Sequence, residues 1–198
     1  MAVQMTSEQR AREPIEYGRY RLGAWVVIAS VTMLFTALSS AYIVRAASAP
    51  DWQPLTMPRI LWSSTALLFV SSLTFEVAKR NLKSSSEAIF SRWISITFLL
   101  GCSFLTLQLR AWRQLAAQGI FLKTNPHSSF FYLLTAMHGL HLLVGLLALI
   151  FLLIRNGRKD RSDEVKQIAI ADGVSVYWHF MDLLWIYLFT LLFVWRSV

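Results

Sequence analysis

The sequence is poor in cysteine and in charged residues. Cys102 is the single cysteine among 198 residues, which excludes an internal disulfide and any metal site built from several thiolates. Charged residues make up 15% of the chain, well below the share of about 25% that is usual in soluble domains. Hydrophobic residues make up 56%, and this composition predicts a membrane protein with no sizeable soluble domain.

The motifs of several enzyme classes are also missing. The sequence contains no phosphate-binding loop, no catalytic triad and no CxxC pair, so no set of residues is predicted to carry out catalysis. The net charge of +8 is of the kind that can indicate nucleic-acid binding. Here, however, the basic residues lie between apolar stretches, where they act as topology signals and contact lipid headgroups. We therefore expect no nucleic-acid partner.

Five apolar stretches predict the fold. An α-helix rises about 1.5 Å per residue and a bilayer core is about 30 Å thick, so about twenty residues cross it. Residues 1–21 are polar, and we expect a cytoplasmic N-terminal segment that is not a cleaved signal peptide. Residues 22–198 are predicted to form a single all-α membrane domain, a bundle of five transmembrane helices at about 22–44, 60–78, 91–112, 130–154 and 173–195.

The distribution of Lys and Arg predicts the orientation of the bundle, because cytoplasmic loops are enriched in these residues. Most of them precede the first span or lie in and beside the second and fourth connections. This pattern predicts a cytoplasmic N-terminus and a C-terminus on the outer, periplasmic side. The basic residues assigned to the cytoplasmic side are Arg10, Arg12, Arg19, Arg21, Lys79, Arg80, Lys83, Arg92, Arg155, Arg158, Lys159, Arg161 and Lys166.

Histidines and an aspartate lie within the last two spans. His138 and His141 are three residues apart, as are His179 and Asp182, so each pair lies roughly on one helix face. The favoured interpretation is hydrogen bonding between helices. A metal or haem site fits less well, because the two pairs lie at different depths and the spans hold only three histidines. Lipid-headgroup contacts and a proton-conducting chain are further interpretations.

Two carboxylates within the spans need an explanation. A charged carboxylate near the middle of a membrane helix costs roughly 2.5–3.5 kcal/mol, so Asp182 requires a partner or a task. Bonding to His179 or to another helix is the leading interpretation, and proton handling is the alternative. Glu76 lies near the end of the second span, and its spacing predicts pairing with Lys79 or Arg80.

Small and hydroxylated residues indicate how the helices pack. A stripe of small residues in the fourth span predicts close helix approach, and it consists of Ala136, Gly139, Gly145 and Ala148. The serines of the second span are expected to bond to backbone carbonyls or to a neighbouring helix, and they are Ser63, Ser64, Ser71 and Ser72.

Two motifs resemble the signatures of a known family. Residues 130–141 read FFYLLTAMHGLH and residues 177–185 read YWHFMDLLW. Both are similar to motifs of subunit III of haem–copper respiratory oxidases, in the same order and with a matching separation. Residues 22–42 and 64–76 are similar to the first two helices of the short, five-helix bacterial form. The resemblance covers nearly the whole chain after residue 20.

Four positions depart from the family pattern. Val31 and Ala111 stand where the family has glutamates, and the first of these glutamates is tied to proton-related roles. This chain therefore lacks the carboxylate to which such a role is tied in the family. Asp172 stands in place of a third glutamate, and Ala136 in place of a glycine.

The resemblance implies a non-catalytic subunit of a proton-pumping terminal oxidase in the bacterial cytoplasmic membrane, either a cytochrome c oxidase or a quinol oxidase that reduces oxygen to water. The chain would have no catalytic residues and bind no haem or copper, which belong to partner subunits. It would stabilise catalytic subunit I, assemble with subunit II, bind phospholipids and support proton uptake. The implied internal, lipid-cleft or proton-related residues are Glu76, Arg80, His138, His141, Trp178, His179 and Asp182.

Three alternative functions stay open at this point. One is an accessory subunit of a nitric oxide reductase system, which shares the fold. Another is a small proton or solute transporter that uses Asp182 and the histidines. The last is a membrane haem enzyme, in which the histidines would ligate iron.

Overall fold

Five long helices make up the fold. The computed structural model describes residues 7–48, 52, 58–83, 87–157 and 164–194. Within these ranges the helices are α1 (Ser7–Ser48), α2 (Ile60–Lys83), α3 (Glu87–Ala117), α4 (Pro126–Gly157) and α5 (Glu164–Val194), and no strand occurs. Each helix contains a segment long and apolar enough to cross a membrane. The predicted all-α fold with five spans is confirmed, while its orientation in the membrane stays a prediction.

The helices extend beyond the predicted spans. Helix α1 begins at Ser7, so most of the predicted polar segment 1–21 is helical, and α5 begins at Glu164 rather than near residue 173. Hydropathy identifies only the residues that are suited to the hydrocarbon core of the bilayer. The backbone hydrogen bonds of a helix continue past that stretch into the polar interface, and the sequence pattern does not register this continuation.

The start of α4 follows from local side-chain chemistry. The backbone N–H of Ser128 donates to Oδ1 of Asn125 at 2.8 Å, and the N–H of Asn125 donates to Oγ of Ser128 at 3.2 Å. This reciprocal pair satisfies two N–H groups near the helix start. Pro126 occupies the first helical position, where its missing N–H leaves no hydrogen bond unmade.

The end of α3 is set by a glycine. Gly119 has a φ of 77°, in the left-handed region that residues with a Cβ atom rarely adopt. The N–H of Ile120 then donates back to the carbonyl of Leu115 at 3.0 Å, which caps one of the last carbonyls of the helix. The chain turns here towards α4.

Helix α5 lies at the centre of the bundle. It packs against α1, α2 and α4, while α3 packs along α2 and α4, and α1 also touches α4. Within the described ranges the backbone of α1 does not come close to that of α2 or α3. Side chains of α5 can therefore reach most of the bundle, and α5 connects α1 with α2.

The outer surface of the bundle is apolar on every helix. Exposed large side chains include Met33 on α1, Leu73 on α2, Leu99 on α3, Leu147 on α4 and Leu183 on α5, all more than 60% exposed. Such a surface requires lipid or another apolar helix around it.

The cap of α4 yields a first prediction. Replacing Asn125 with alanine removes the acceptor for the Ser128 N–H, and we expect a loss of about 1 kcal/mol in stability. Thermal unfolding of the purified protein in detergent, followed by circular dichroism, measures this loss. The Asn125→Asp variant keeps a side-chain acceptor and should unfold close to the wild type. Equal unfolding temperatures for the alanine and aspartate variants would contradict the capping role.

Candidate functional site

Trp178 occupies the centre of the bundle. Its side chain is fully buried, and its Nε1–H donates to Oγ of Ser71 on α2 at 3.0 Å. A Cβ atom placed on Gly101 of α3 would lie 3.1 Å from Cη2 of Trp178, and one on Gly145 of α4 would lie 3.1 Å from Cζ3. The indole therefore fits between two glycines, and one side chain of α5 contacts α2, α3 and α4.

The predicted stripe of small residues on α4 is only partly used for packing. Gly145 contacts Trp178 closely, as predicted. At Gly139 an added Cβ would lie 3.7 Å from Leu105, which is an ordinary van der Waals distance, and Ala136 is exposed. For Ala136 the packing prediction was wrong, because this position lies on the outer side of the helix.

Two further aromatic residues of α5 donate hydrogen bonds to other helices. Tyr177 donates its hydroxyl proton to the backbone carbonyl of His141 on α4 at 2.9 Å. Trp185 donates its Nε1–H to Oγ1 of Thr65 on α2 at 3.0 Å. Buried aromatic donors of this kind need an acceptor where water is absent. The motif of residues 177–185 thus ties α5 to α2 and α4.

His138 lies in an aromatic environment. It is fully buried, and its ring centroid lies 5.2 Å from that of Trp185 on α5 and 5.9 Å from that of Phe104 on α3. Neither ring nitrogen has a hydrogen-bond partner among the described residues. The predicted interhelical hydrogen bond was wrong for His138, because α3 and α5 place aromatic rings rather than hydroxyl groups around it.

His141 makes a hydrogen bond within its own helix. Its Nδ1 lies 2.7 Å from the backbone carbonyl of Met137, and since a carbonyl only accepts, Nδ1 carries the proton. The ring packs against Phe35 of α1, with centroids 5.7 Å apart. For this ring also the expected bond between helices is replaced by a local one, and the rings of His138 and His141 have different surroundings.

His179 makes the predicted interhelical bond. Its Nδ1 lies 2.6 Å from Oγ of Ser72 on α2, which also confirms the expected bond to a neighbouring helix for Ser72. Asp182 is 8% exposed. The hydroxyl of Ser72 is close enough to interact with its carboxyl group, but no hydrogen bond of acceptable geometry reaches either oxygen within the described part of the chain. The predicted contact of Asp182 with another helix is thus limited to Ser72 of α2, and no hydrogen bond to His179 is formed among the described residues.

A groove between α2 and α5 contains these polar groups. Its volume is about 260 Å³. Ser72, His179 and Asp182 lie at its polar part, and the rest of the lining is mainly apolar: Thr65, Leu68, Phe69, Leu183, Trp185 and Ile186. Phe69 and Leu183 are 59% and 65% exposed, so the groove opens on the outer surface of the bundle.

A second polar cluster lies near the end of α2. Lys79 contacts Glu76 on its own helix at 3.0 Å and reaches Asp172 on α5 at 3.8 Å. It also donates to Oγ of Ser175 at 3.4 Å. Arg80 contacts Glu76 at 3.4 Å but is largely exposed. The predicted pairing of Glu76 is confirmed for both basic residues, and Lys79 in addition links α2 with α5.

The two positions at which the resemblance implies missing glutamates lie in the apolar core. Val31 is 4% exposed and Ala111 is fully buried. At Asp172 the carboxylate is retained and pairs with Lys79. The described part of the chain contains no group of three or more His, Cys, Asp or Glu residues that could hold a metal ion.

Sequence reasoning missed several residues that build this site. A glycine such as Gly101 in the middle of an apolar helix is a signal of close backbone approach. Trp185 follows Trp178 by seven residues, which places both on one face of α5. The contact of Lys79 with Asp172 left no such signal, because it depends on how two helices are placed side by side.

Comparisons with known proteins agree on one family. The family model described as Cytochrome c oxidase subunit III matches residues 8–197. The chain is 34% identical over 176 residues to the probable cytochrome c oxidase subunit 3 of Mycobacterium bovis, covering 87% of this chain and 86% of that protein. It is 31% identical to cytochrome c oxidase subunit 3 of Bacillus sp. strain PS3 and 30% identical to that of Bacillus subtilis, covering 87% of this chain and 84% of each relative.

The glycine contact of Trp178 yields a second prediction. In the Gly145→Ala variant the new methyl group meets two rigid rings, those of Trp178 and Tyr177, at 3.1–3.4 Å. We expect a loss of about 1–3 kcal/mol from overpacking, measured by thermal unfolding in detergent. Gly139→Ala on the same helix is the matched control and should not be destabilised. If both variants unfold at the same temperature, Gly145 is not a packing requirement.

The Lys79 cluster yields a third prediction. The Lys79→Met variant leaves Glu76 and Asp172 without their shared cation, and we expect a loss of about 1 kcal/mol, since the pairs are only partly buried. Arg80→Met should change stability little, because Arg80 is exposed. In a double-mutant cycle, Lys79→Met combined with Asp172→Asn should cost less than the sum of the single changes. Simple additivity would show that Lys79 and Asp172 are not coupled.

Proposed function

Because the chain belongs to the cytochrome c oxidase subunit III family and is thereby an accessory subunit of a haem–copper oxidase, we propose that it is the non-catalytic subunit III of a proton-pumping terminal oxidase. That complex would reduce oxygen to water. The names of the relatives support cytochrome c, rather than quinol, as its electron donor. Haem and copper would be held by partner subunits and none by this chain.

This proposal rests on one observation: the aromatic motif of α5 forms hydrogen bonds to the neighbouring helices. Tyr177, Trp178 and Trp185 each direct a hydrogen-bond donor at an oxygen of another helix. His138 lies among aromatic rings, and His141 bonds to its own backbone. Neither histidine belongs to a group of three or more potential metal ligands among the described residues. This arrangement supports a scaffold that holds its shape beside a catalytic partner.

Catalytic subunit I is the direct partner that we propose, with subunit II in the same complex. The apolar outer faces of the helices support burial against the membrane helices of such partners and against lipid tails. We propose that the complex lies in the bacterial cytoplasmic membrane. The N-terminus of this chain would be in the cytoplasm, because most Lys and Arg residues precede the first span or lie in and beside the second and fourth connections, on the same side of the bundle.

Phospholipid binding is a further part of the proposal. Arg80 is about three-quarters exposed beside the Glu76 pair, close to the end of the membrane-spanning part of α2. A guanidinium group at this depth can bind a lipid phosphate with two hydrogen bonds. The exposed apolar side chains of the bundle would contact the acyl chains.

Any support of proton uptake by this chain would use fewer carboxylates than the family pattern contains. Val31 and Ala111 are buried apolar residues and cannot exchange protons. Glu76 and Asp172 remain, and both contact Lys79. We propose that any contribution of this chain to proton uptake acts through this cluster at the predicted cytoplasmic end.

Purification from membranes of the native host tests the proposal. A tagged chain should co-purify with haem, copper and a larger catalytic polypeptide, whereas the chain freed from its partners should show no Soret band. Deleting the chain should leave haem in the oxidase but lower its assembly or sustained turnover. A haem or copper ion that stays bound to the isolated chain would overturn the proposal, and so would transport of protons by the chain alone in liposomes.

Substitution of the histidines separates packing from ligation. The His138→Phe variant keeps an aromatic ring between Phe104 and Trp185 and removes both nitrogen atoms. We expect unchanged haem and copper content per complex, measured by optical spectroscopy and metal analysis. A His141→Leu variant is the companion, and it should also keep the full cofactor content. Loss of haem in either variant, in a complex that still assembles, would show that the histidine takes part in ligation.

A further inference from the structure

Asp182, an acid without a well-formed hydrogen bond among the described residues, lies in the part of the bundle that is apolar enough to cross a membrane. The structure describes the side chains of three acidic residues, Glu76, Asp172 and Asp182. The first two contact Lys79. Both oxygens of Asp182 are buried, and although the hydroxyl of Ser72 lies close to them, they accept no hydrogen bond of acceptable geometry from the described residues. A buried acceptor left unsatisfied costs about 1–3 kcal/mol, and more when it is charged, so this position requires a donor from elsewhere.

The groove between α2 and α5 shows where such a donor could enter. Asp182, His179 and Ser72 line one part of it, and the exposed side chains of Phe69 and Leu183 lie at its opening. The Nδ1 of His179 and the hydroxyl of Ser72 already bond to each other. The acceptor that remains for an incoming group is therefore the carboxyl group of Asp182.

Depth and size limit what the occupant can be. The segment of α5 that is long and apolar enough to cross a membrane runs from Lys166 to Phe193, which places Asp182 roughly 17 Å from its nearer end at about 1.5 Å per residue. Phospholipid headgroups lie at the ends of the span and do not reach this depth, and acyl chains carry no donor. The volume of about 260 Å³ is below the range of about 300–1,000 Å³ of small-molecule pockets, but it suits a single side chain.

We propose that this groove receives a hydrogen-bond-donating side chain from a membrane helix of another oxidase subunit, with Asp182 as the acceptor. The inference rests on the proposed function, since it requires a partner subunit. The α2–α5 face is then an intersubunit surface. Interhelical hydrogen bonds to polar side chains are a common means of joining membrane helices, and an acid that lacks a well-formed hydrogen bond among the described residues supplies the acceptor here.

The first test measures which molecule covers the groove. A photo-crosslinking amino acid at position 183 is introduced into the chain within the complex, and the same amino acid at position 147 on α4 is the control for lipid background, since Leu183 and Leu147 are equally exposed at 65%. We expect position 183 to form a product with another polypeptide of the complex. Products with lipid alone, or with a second copy of this chain, would overturn the proposal.

The second test asks whether Asp182 is the acceptor. Asp182→Asn keeps one carbonyl oxygen, whereas Asp182→Leu removes both acceptors. We expect the leucine variant to lower the crosslinked product from position 183 by about tenfold, which corresponds to about 1.4 kcal/mol, and the asparagine variant to keep most of it. An unchanged yield in the leucine variant would overturn the proposal.

A third measurement distinguishes this role from a purely internal one. If Asp182 serves a partner, removing the unpartnered acid should leave the isolated chain equally or more stable in detergent while weakening its retention in the complex. If the isolated Asp182→Leu chain unfolds at a clearly lower temperature, the carboxyl group acts inside this chain and the proposal fails. Haem and copper in the same wild-type preparation report on the proposed function separately, so the two failures can be told apart.

Discussion

The absence of water from the bilayer core is the constraint on which this structure depends. A donor on a membrane helix loses its hydration there, and only an acceptor on its own or another helix can replace it. Tyr177, Trp178 and Trp185 meet this requirement by donating to α4 and α2. These bonds hold α5 in the centre of the bundle, and the glycines at positions 101 and 145 allow the indole of Trp178 to come close enough.

The acidic residues meet this constraint in different ways, depending on their depth in the bundle. Near the end of α2, Glu76 and Asp172 share the flexible cation of Lys79, whose long side chain reaches between two helices. Deeper in the bundle no basic side chain is available to Asp182 among the described residues. Its surroundings are Ser72, His179 and an apolar groove, so the chain by itself leaves this acid incompletely satisfied. A subunit that works inside a complex can leave such a group for its partner.

Much of the fold could be predicted because it depends on local pattern. The five spans follow from apolar stretches of sufficient length, and the pairing of Glu76 with Lys79 and Arg80 follows from their spacing on one helix. The surroundings of the histidines could not be predicted in this way. His138 and His141 share a helix and a spacing, yet one ring meets aromatic side chains of α3 and α5 while the other packs against Phe35 and bonds to its own backbone.

The sequence by itself determined the class of protein, the number of spans and the family, because hydropathy and linear motifs are properties of the chain read in order. The tertiary structure alone decided which polar groups meet: that His179 reaches Ser72, that Lys79 reaches Asp172, and that Asp182 lies beside Ser72 without a hydrogen bond of good geometry from the described residues. Such contacts depend on the rotation and depth of each helix relative to its neighbours. Those quantities are set by the packing of side chains such as Trp178 between glycines, and no single stretch of sequence contains them.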